Sequence, residues 1–136
     1  ALNLRLLLVE DHVPTLDVMS RLLKRAGHSV RTASSVADGL ALANQEPFDL
    51  VISDLGLPDG PGYALMREIR RQHGLPGIAL SGFGMETDLQ ESREAGFVTH
   101  LVKPVDIADL SRAINAAVKH RSSTGAQQQD VSLRSC

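Results

Sequence analysis

The segment Leu50–Asp54 has the sequence LVISD. Its apolar run is too short for a typical helix, suits a strand buried on both faces of a sheet, and ends at an acid. Four similar short runs lie elsewhere in the chain, and the second and fifth of the five are the weakest, as is typical of edge strands. The four are Arg5–Val9, Val30–Ala33, Gly77–Leu80 and Thr99–Val102.

Longer segments with helical spacing of apolar residues alternate with these runs. They are Thr15–Ala26, a segment capped by Ser35 that stops before Pro47, Tyr63–His73, Thr87–Ala95 and a last one capped by Asp106. A strand-helix order repeated five times implies a parallel sheet with right-handed crossovers and helices on both faces. The sequence therefore predicts an α/β fold, a flavodoxin-like doubly wound (βα)5 domain whose five-stranded parallel sheet has the order 2-1-3-4-5.

Composition limits the class of protein. The chain has 136 residues and a formal net charge of -2, with 3% aromatic residues and no Trp. This balance provides neither the basic footprint nor the stacking platform that direct nucleic-acid binding uses. The lone Cys136 excludes a disulfide within the chain, and no apolar run approaches the length of a membrane span. We expect a cytoplasmic domain that makes no membrane contact.

The organisation along the chain predicts one domain followed by a tail. Residues 1–121 carry the strand-helix alternation, and residues 122–136 are polar and aperiodic, so we expect them to be disordered. The chain begins at Ala1 without an initiator Met. This fits a segment of a longer protein, such as the C-terminal part of a hybrid sensor kinase, and it also fits processing or a stand-alone domain.

Three acids fall at the ends of predicted strands. Glu10 and Asp11 follow the first strand, and Asp54 ends the third. In a parallel α/β sheet the carboxyl ends of the strands form the ligand-binding edge, so these acids should lie within a few ångströms of each other. Like charges this close raise one another's pKa, and a bound cation removes the repulsion. Oxygen ligands on one side of a shallow site suit Mg²⁺.

Two further residues complete a predicted phosphate site at the same edge. Ser81 ends the fourth strand and offers a hydroxyl, and Lys103 ends the fifth and offers a positive charge. A carboxylate, a cation, an ammonium and a hydroxyl around one cleft can receive a phosphoryl group by in-line attack. Asp54 would be the nucleophile and would become an aspartyl phosphate.

Four motifs give the chain a resemblance to a known family. LLVEDH at 7–12, DLVISDLGLPDGPGYAL at 49–65, ALSGFG at 79–84 and LVKPVD at 101–106 occur in this order and spacing. Over about residues 4–120 the sequence resembles the receiver domain of response regulators in two-component signalling. The resemblance implies that Asp54 accepts phosphate from a phosphohistidine on a sensor histidine kinase or a histidine phosphotransfer domain. Such a domain is a phosphorelay switch that catalyses only its own phosphorylation and dephosphorylation, although a parent chain can be a hybrid histidine kinase.

The resemblance also assigns roles to the other residues. It implies that Asp11, Asp54 and the backbone carbonyl of Gly56 hold Mg²⁺, with Glu10 contributing through water. It further implies that Ser81 swings toward the phosphoryl group, that Lys103 pairs with this group, and that a cis peptide precedes Pro104.

The sequence departs from the family pattern near the site. His100 stands three residues before Lys103, where the family usually has Phe or Tyr. His100 is therefore either a polar edge-strand residue or a switch that toggles between inward and outward states. Gly56 and Phe83 lie two residues after Asp54 and Ser81, and we expect these two positions to set the lifetime of the phosphoryl group.

By resemblance, the output surface is the fourth helix, the fifth strand and the fifth helix, and formation of a homodimer through this face stays open.

Three other functions compete with this interpretation. A phosphohydrolase with an aspartyl nucleophile is disfavoured, because Gly56 stands where such phosphatases place a second Asp. A nucleotide- or flavin-binding domain lacks its glycine-rich motif. The third alternative is an interaction module that only binds partners and never takes phosphate.

Overall fold

The computed structural model describes residues 3–82 and 89–119. Five strands and five helices alternate along these residues. The strands are β1 (Arg5–Val9), β2 (Ser29–Ala33), β3 (Leu50–Asp54), β4 (Gly77–Ser81) and β5 (Phe97–Val102). The helices are α1 (Val13–Arg25), α2 (Val36–Gln45), α3 (Gly62–His73), α4 (Leu89–Ala95) and α5 (107–119).

The main sheet is parallel and has the strand order β2-β1-β3-β4-β5. The predicted fold class and strand order are therefore confirmed, and the two weakest apolar runs are the edge strands β2 and β5. A two-residue antiparallel ladder, Gly56–Leu57 against Gly60–Pro61, follows β3 and was not predicted. No helix within the described residues is both long enough and apolar enough to cross a membrane.

Side chains of successive strand residues pack on opposite faces of the sheet. On β1, Leu6 and Leu8 join one buried cluster, which includes Leu23 of α1 and Ile114 of α5. Leu7 and Val9 of the same strand join the other cluster, with residues of α2, α3 and β5. Both faces of β1 are thus covered, which explains why its sequence is an unbroken apolar run rather than an alternating one.

Local signals determine several helix ends. The Ser35 hydroxyl accepts a hydrogen bond from the Asp38 N–H at the start of α2, and the Asp106 carboxylate accepts one from the Ala108 N–H. Gly74 adopts a φ of 67° at the end of α3, a left-handed conformation that favours glycine. α1 begins at Val13, two residues earlier than predicted, because Pro14 is tolerated in a first helical turn.

Some expectations fall on residues that the structure does not describe. Phe83, Thr87 at the predicted start of the fourth helix, and the predicted tail at 122–136 lie outside the described residues. The boundary between the domain and its tail therefore stays a prediction.

Candidate phosphoryl-acceptor site

The carboxyl ends of the parallel strands bring the predicted site residues to one edge of the sheet. Asp54 and Ser81 are the last residues of β3 and β4, and Glu10 and Lys103 directly follow β1 and β5. Asp54 pairs with Leu80 in the register of β3 and β4, and the Lys103 N–H donates to the Ser81 carbonyl at 2.8 Å. These backbone contacts fix the relative positions of the side chains.

Lys103 links two acids. Its ammonium Nζ lies 2.8 Å from Oε1 of Glu10 and 2.9 Å from Oδ2 of Asp54. The Glu10 side chain is completely buried and that of Asp54 is only 7% exposed, so water screens these charges weakly. The second Glu10 oxygen, Oε2, accepts a hydrogen bond of 3.1 Å from the His12 N–H.

This environment shifts the pKa values of Glu10 and Lys103. Burial raises the pKa of Glu10, and the hydrogen bonds from Lys103 and from the His12 N–H offset only part of that rise. Burial by itself lowers the pKa of Lys103, but its hydrogen bonds to Glu10 and Asp54 outweigh this effect and raise the pKa overall. Lys103 is therefore held as an ammonium beside the Asp54 carboxylate.

A group of three acids can hold a metal ion. One carboxylate oxygen each from Glu10, Asp11 and Asp54 lies within 4.8 Å of the others, as the sequence predicts. Asp11 is exposed, whereas Glu10 and Asp54 are buried, so the group opens to solvent on one side. All donors are oxygens, and an open side leaves room for the waters that Mg²⁺ retains. The residues therefore fit a magnesium ion.

Gly56 lies beside this group. Its N–H donates to Oδ1 of Asp54 at 3.2 Å, which orients the Asp54 carboxylate. The ladder partner of Gly56 is Pro61, which has no N–H and cannot donate to the Gly56 carbonyl. This pairing is compatible with the predicted use of that carbonyl as a metal ligand.

The Ser81 hydroxyl makes a hydrogen bond that the sequence analysis did not predict. Its buried hydroxyl lies 2.6 Å from Nε2 of His100 on the adjacent strand β5. Ser81 thus lies at the same edge as Asp54 and Lys103 and is hydrogen-bonded to His100. The peptide bond between Lys103 and Pro104 is cis, as the resemblance implies.

Sequence reasoning missed the direct bond between Glu10 and Lys103, since it gave Glu10 only a contact to metal through water. The signal was nevertheless present. An acid that ends a buried strand requires a compensating cation, and Lys103 is the basic residue predicted at the same edge.

Comparison with known proteins establishes the family. The response regulator receiver domain family matches residues 6–115, so the chain belongs to this family. It is a phosphoryl-accepting receiver domain of the two-component signalling type.

Relatives and solved structures support the assignment. The transcriptional regulatory protein GlrR of Escherichia coli (strain K12) is 40% identical over 115 residues, which cover 84% of this chain and 26% of GlrR. The virulence sensor protein BvgS of Bordetella pertussis is 36% identical over 124 residues, covering 85% of this chain and 10% of BvgS. A response regulator receiver domain from Clostridium thermocellum superposes with a TM-score of 0.83 at 31% identity, covering 90% of this chain and 99% of that one. The chain thus spans only a minor part of these two curated relatives.

Proposed function

We propose that Asp54 is the phosphoryl acceptor of this receiver and that its donor is a phosphohistidine on a sensor histidine kinase or histidine phosphotransfer domain. The observation that carries the proposal is the position of Asp54, which ends β3 with its carboxylate 2.9 Å from the Lys103 ammonium. A carboxylate oxygen attacks phosphorus, the bond from phosphorus to the histidine nitrogen breaks, and the nitrogen keeps the electron pair. The Gly56 N–H contributes by orienting the attacking carboxylate.

We further propose that Asp11, Asp54 and the Gly56 carbonyl hold Mg²⁺, with Glu10 acting through a water. The ion, when bound, supplies positive charge that neutralises the acids and the phosphoryl oxygens. Glu10 has a second task, because its Oε1 accepts from Lys103 and keeps that ammonium beside Asp54.

Ser81 and Lys103 are proposed to bind the transferred group. Lys103 already contacts Asp54 and can pair with a phosphoryl oxygen through the same ammonium. Ser81 has to exchange its hydrogen bond with His100 for one with the phosphoryl group. This exchange would couple Asp54 to β5, and it gives His100 a place in the switch.

A groove next to the site suits the approach of the donor protein. It has a volume of about 550 Å³ and is lined mainly by apolar residues at the start of α1 and after β5, among them Pro14, Val18 and Pro104. Lys103 borders both the groove and the acceptor site. Val13 and Val18 are large hydrophobic residues exposed on α1, which is typical of a surface that another protein covers.

The output surface is proposed to be α4, β5 and α5, and a homodimer through it is one form of output. Val98 and Val102 of β5 are exposed hydrophobic residues on this surface. We propose residues 1–121 as the functional unit and a cytoplasmic location, where a phosphorylated kinase domain would meet it.

The decisive experiment treats the chain with acetyl phosphate and Mg²⁺ and measures its intact mass. We expect a gain of one phosphoryl group that is lost in Asp54→Asn. Asp49→Asn is the matched control, since Asp49 precedes the same strand at its opposite end and pairs with Arg5. No gain in the wild type would favour a module that only binds partners, and a gain in Asp54→Asn would place the acceptor elsewhere.

A further inference from the structure

The loop that follows Asp54 is hydrogen-bonded to α2, a helix that carries no residue of the proposed acceptor site. The carboxylate of Asp59 accepts two backbone hydrogen bonds from the first turn of α2. The Val36 N–H donates to Oδ1 at 2.8 Å and the Ala37 N–H to Oδ2 at 3.0 Å. These bonds lower the pKa of Asp59, so the side chain is a carboxylate at neutral pH.

α2 is tightly packed against its neighbours, so it can hold Asp59 in a fixed position. Its Gly39 lies so close to Val9 and Leu65 that a β-carbon there would be 3.2–3.3 Å from both side chains. Ser35 caps the same turn locally, because its hydroxyl accepts from the Asp38 N–H. The amide groups of the first turn are therefore divided between a local cap and the distant Asp59.

The loop that carries Asp59 is also held at its base. Gly56 and Leu57 pair with Gly60 and Pro61 in the short ladder, and the Gly62 N–H donates to the Leu55 carbonyl at 2.8 Å. A β-carbon on Gly62 would collide with the backbone oxygen of Asp54, so the end of the loop is packed directly against the acceptor residue. At the other end of the loop, the Asp59 carboxylate holds it against α2.

We infer that Asp59 is a positioning residue of the metal site. By holding the loop against α2, it keeps the Gly56 carbonyl at the acid cluster, where that oxygen completes the ligand set of Asp11 and Asp54. The inference rests on the proposed function, because Gly56 is a metal ligand only under that proposal. It goes beyond helix capping: Asp59 sets magnesium affinity, whereas a simple cap would affect stability alone.

The test compares two caps of one helix. Asp59→Ala removes the bridge from the loop, and Ser35→Ala removes the local cap of the same turn without touching the loop. The affinity for Mg²⁺ is measured by titration calorimetry without any phosphoryl donor, and thermal unfolding and amide hydrogen exchange are followed on the same samples. Asp11→Asn serves as the reference for loss of the metal site.

We expect both capping variants to melt at lower temperature and only Asp59→Ala to bind Mg²⁺ more weakly. The loss should be about tenfold, the lower end for removal of a group that orients a metal ligand. Faster amide exchange at Val36, Ala37 and Gly56 should accompany it. Asp59→Asn, which keeps one acceptor oxygen, should fall between wild type and Asp59→Ala, and it takes the place of Asp59→Ala if that variant does not fold.

Other results overturn the inference in distinguishable ways. Equal losses of Mg²⁺ affinity in Asp59→Ala and Ser35→Ala, or no loss in either, would make Asp59 a helix cap only. If Asp11→Asn binds Mg²⁺ as tightly as the wild type, the metal site itself is wrongly assigned and the proposed function fails with it.

Discussion

The hydroxyl of Ser81 lies 2.6 Å from Nε2 of His100. This hydrogen bond joins the last residue of β4 to a side chain within β5, and Ser81 is 1% exposed. If Ser81 turns toward a phosphoryl group on Asp54, as proposed, we expect its hydroxyl to leave His100. Under this proposal His100 competes with the phosphoryl group for one hydroxyl and stabilises the unphosphorylated state.

Replacing His100 should weaken the distinction between the two states. In His100→Ala the buried hydroxyl loses its partner in the unphosphorylated state, at a cost of about 1–3 kcal/mol. The conformational equilibrium of the unphosphorylated protein then shifts toward the conformation of the phosphorylated state. The amide shifts of Val98 and Val102 should move less on treatment with acetyl phosphate and Mg²⁺ than in the wild type. His100→Tyr, which restores the ring of the family pattern, should also alter the response, and wild-type behaviour in both variants would reject the role of His100.

Lys103→Met should separate stability from magnesium binding. The substitution keeps an apolar stem but leaves Glu10 buried without its ammonium partner. Without Mg²⁺ we expect the free energy of unfolding to fall by about 2–3 kcal/mol, less than for a fully buried pair because the Lys103 side chain is 25% exposed. Added Mg²⁺ should stabilise this variant more than the wild type, since the ion no longer competes with the ammonium for Asp54. Urea denaturation with and without Mg²⁺ measures both effects.

Arg5→Met is the matched control for Lys103→Met. Arg5 and Asp49 form an ion pair at 3.2 Å, but the Arg5 side chain is 52% exposed. Loss of such a surface pair should lower the free energy of unfolding much less than Lys103→Met does, and by the same amount with and without Mg²⁺. A similar response of the two variants to Mg²⁺ would contradict the assignment of Lys103 to the acceptor site.

Gly56→Asn should shorten the lifetime of the phosphoryl group. Gly56 is exposed and its N–H donates to Asp54, so a side chain at this position lies beside the acceptor. The amide of Asn can hydrogen-bond and orient the attacking water, and we expect dephosphorylation to accelerate about tenfold, less than a full general base contributes. Loss of the added phosphoryl mass with time gives the rate. Phe83→Glu tests the second proposed position in the same assay, and lifetimes equal to that of the wild type would count against both.

The fold could be predicted because its signals are local. The apolar run of β1 and the cap at Ser35 each lie within a few neighbouring residues, and both occur where they were predicted. The start of β5 was placed two residues late, at Thr99 instead of Phe97. The pairing of β4 with β5 shifts register between Gly77 and Ile78, and such an irregularity depends on the neighbouring strand rather than on the sequence of β5.

Part of the site could likewise be predicted from local signals, and part could not. Asp54 and Lys103 could be recognised because parallel strands bring their carboxyl ends together. The bond between Ser81 and His100 depends on side-chain directions across two strands, and Asp59 reaches α2 from a loop 22–23 residues away in sequence. Neither contact has a spacing that a sequence pattern would reveal.

Val18→Glu should separate transfer from a protein donor from transfer from a small molecule. Val18 is 54% exposed and lines the groove beside Lys103. It is not one of the residues of the proposed acceptor site. A charge there should slow phosphotransfer from a phosphorylated kinase or phosphotransfer domain by at least about tenfold, as expected for an apolar contact within an interface. Uptake from acetyl phosphate should be unchanged. Val98→Glu, an exposed valine on β5, is the control, and an equal loss of transfer in both variants would remove the groove as the donor surface.

The stabilising effect of Asp59 should depend on pH. The hydrogen bonds from Val36 and Ala37 lower its pKa in the folded state below the usual value of about 3.9. A carboxyl group with a lowered folded pKa stabilises the fold fully above its unfolded pKa, and this stabilisation is lost as the pH falls through the folded pKa. The wild type should therefore exceed Asp59→Asn in free energy of unfolding by a constant amount above about pH 5, and by less as the pH falls below about 3.9.

Urea denaturation of the two proteins at several pH values between 7 and 3 measures this difference directly. Titration of the other acids cancels in the comparison, because both proteins carry them. Ser35→Ala removes a cap of the same helical turn that does not titrate between pH 3 and 7, and its difference from the wild type should stay constant over this range. A gap between wild type and Asp59→Asn that stays constant down to pH 3 would mean that the carboxylate charge does not stabilise the contact with α2, and a neutral acceptor would then serve equally well.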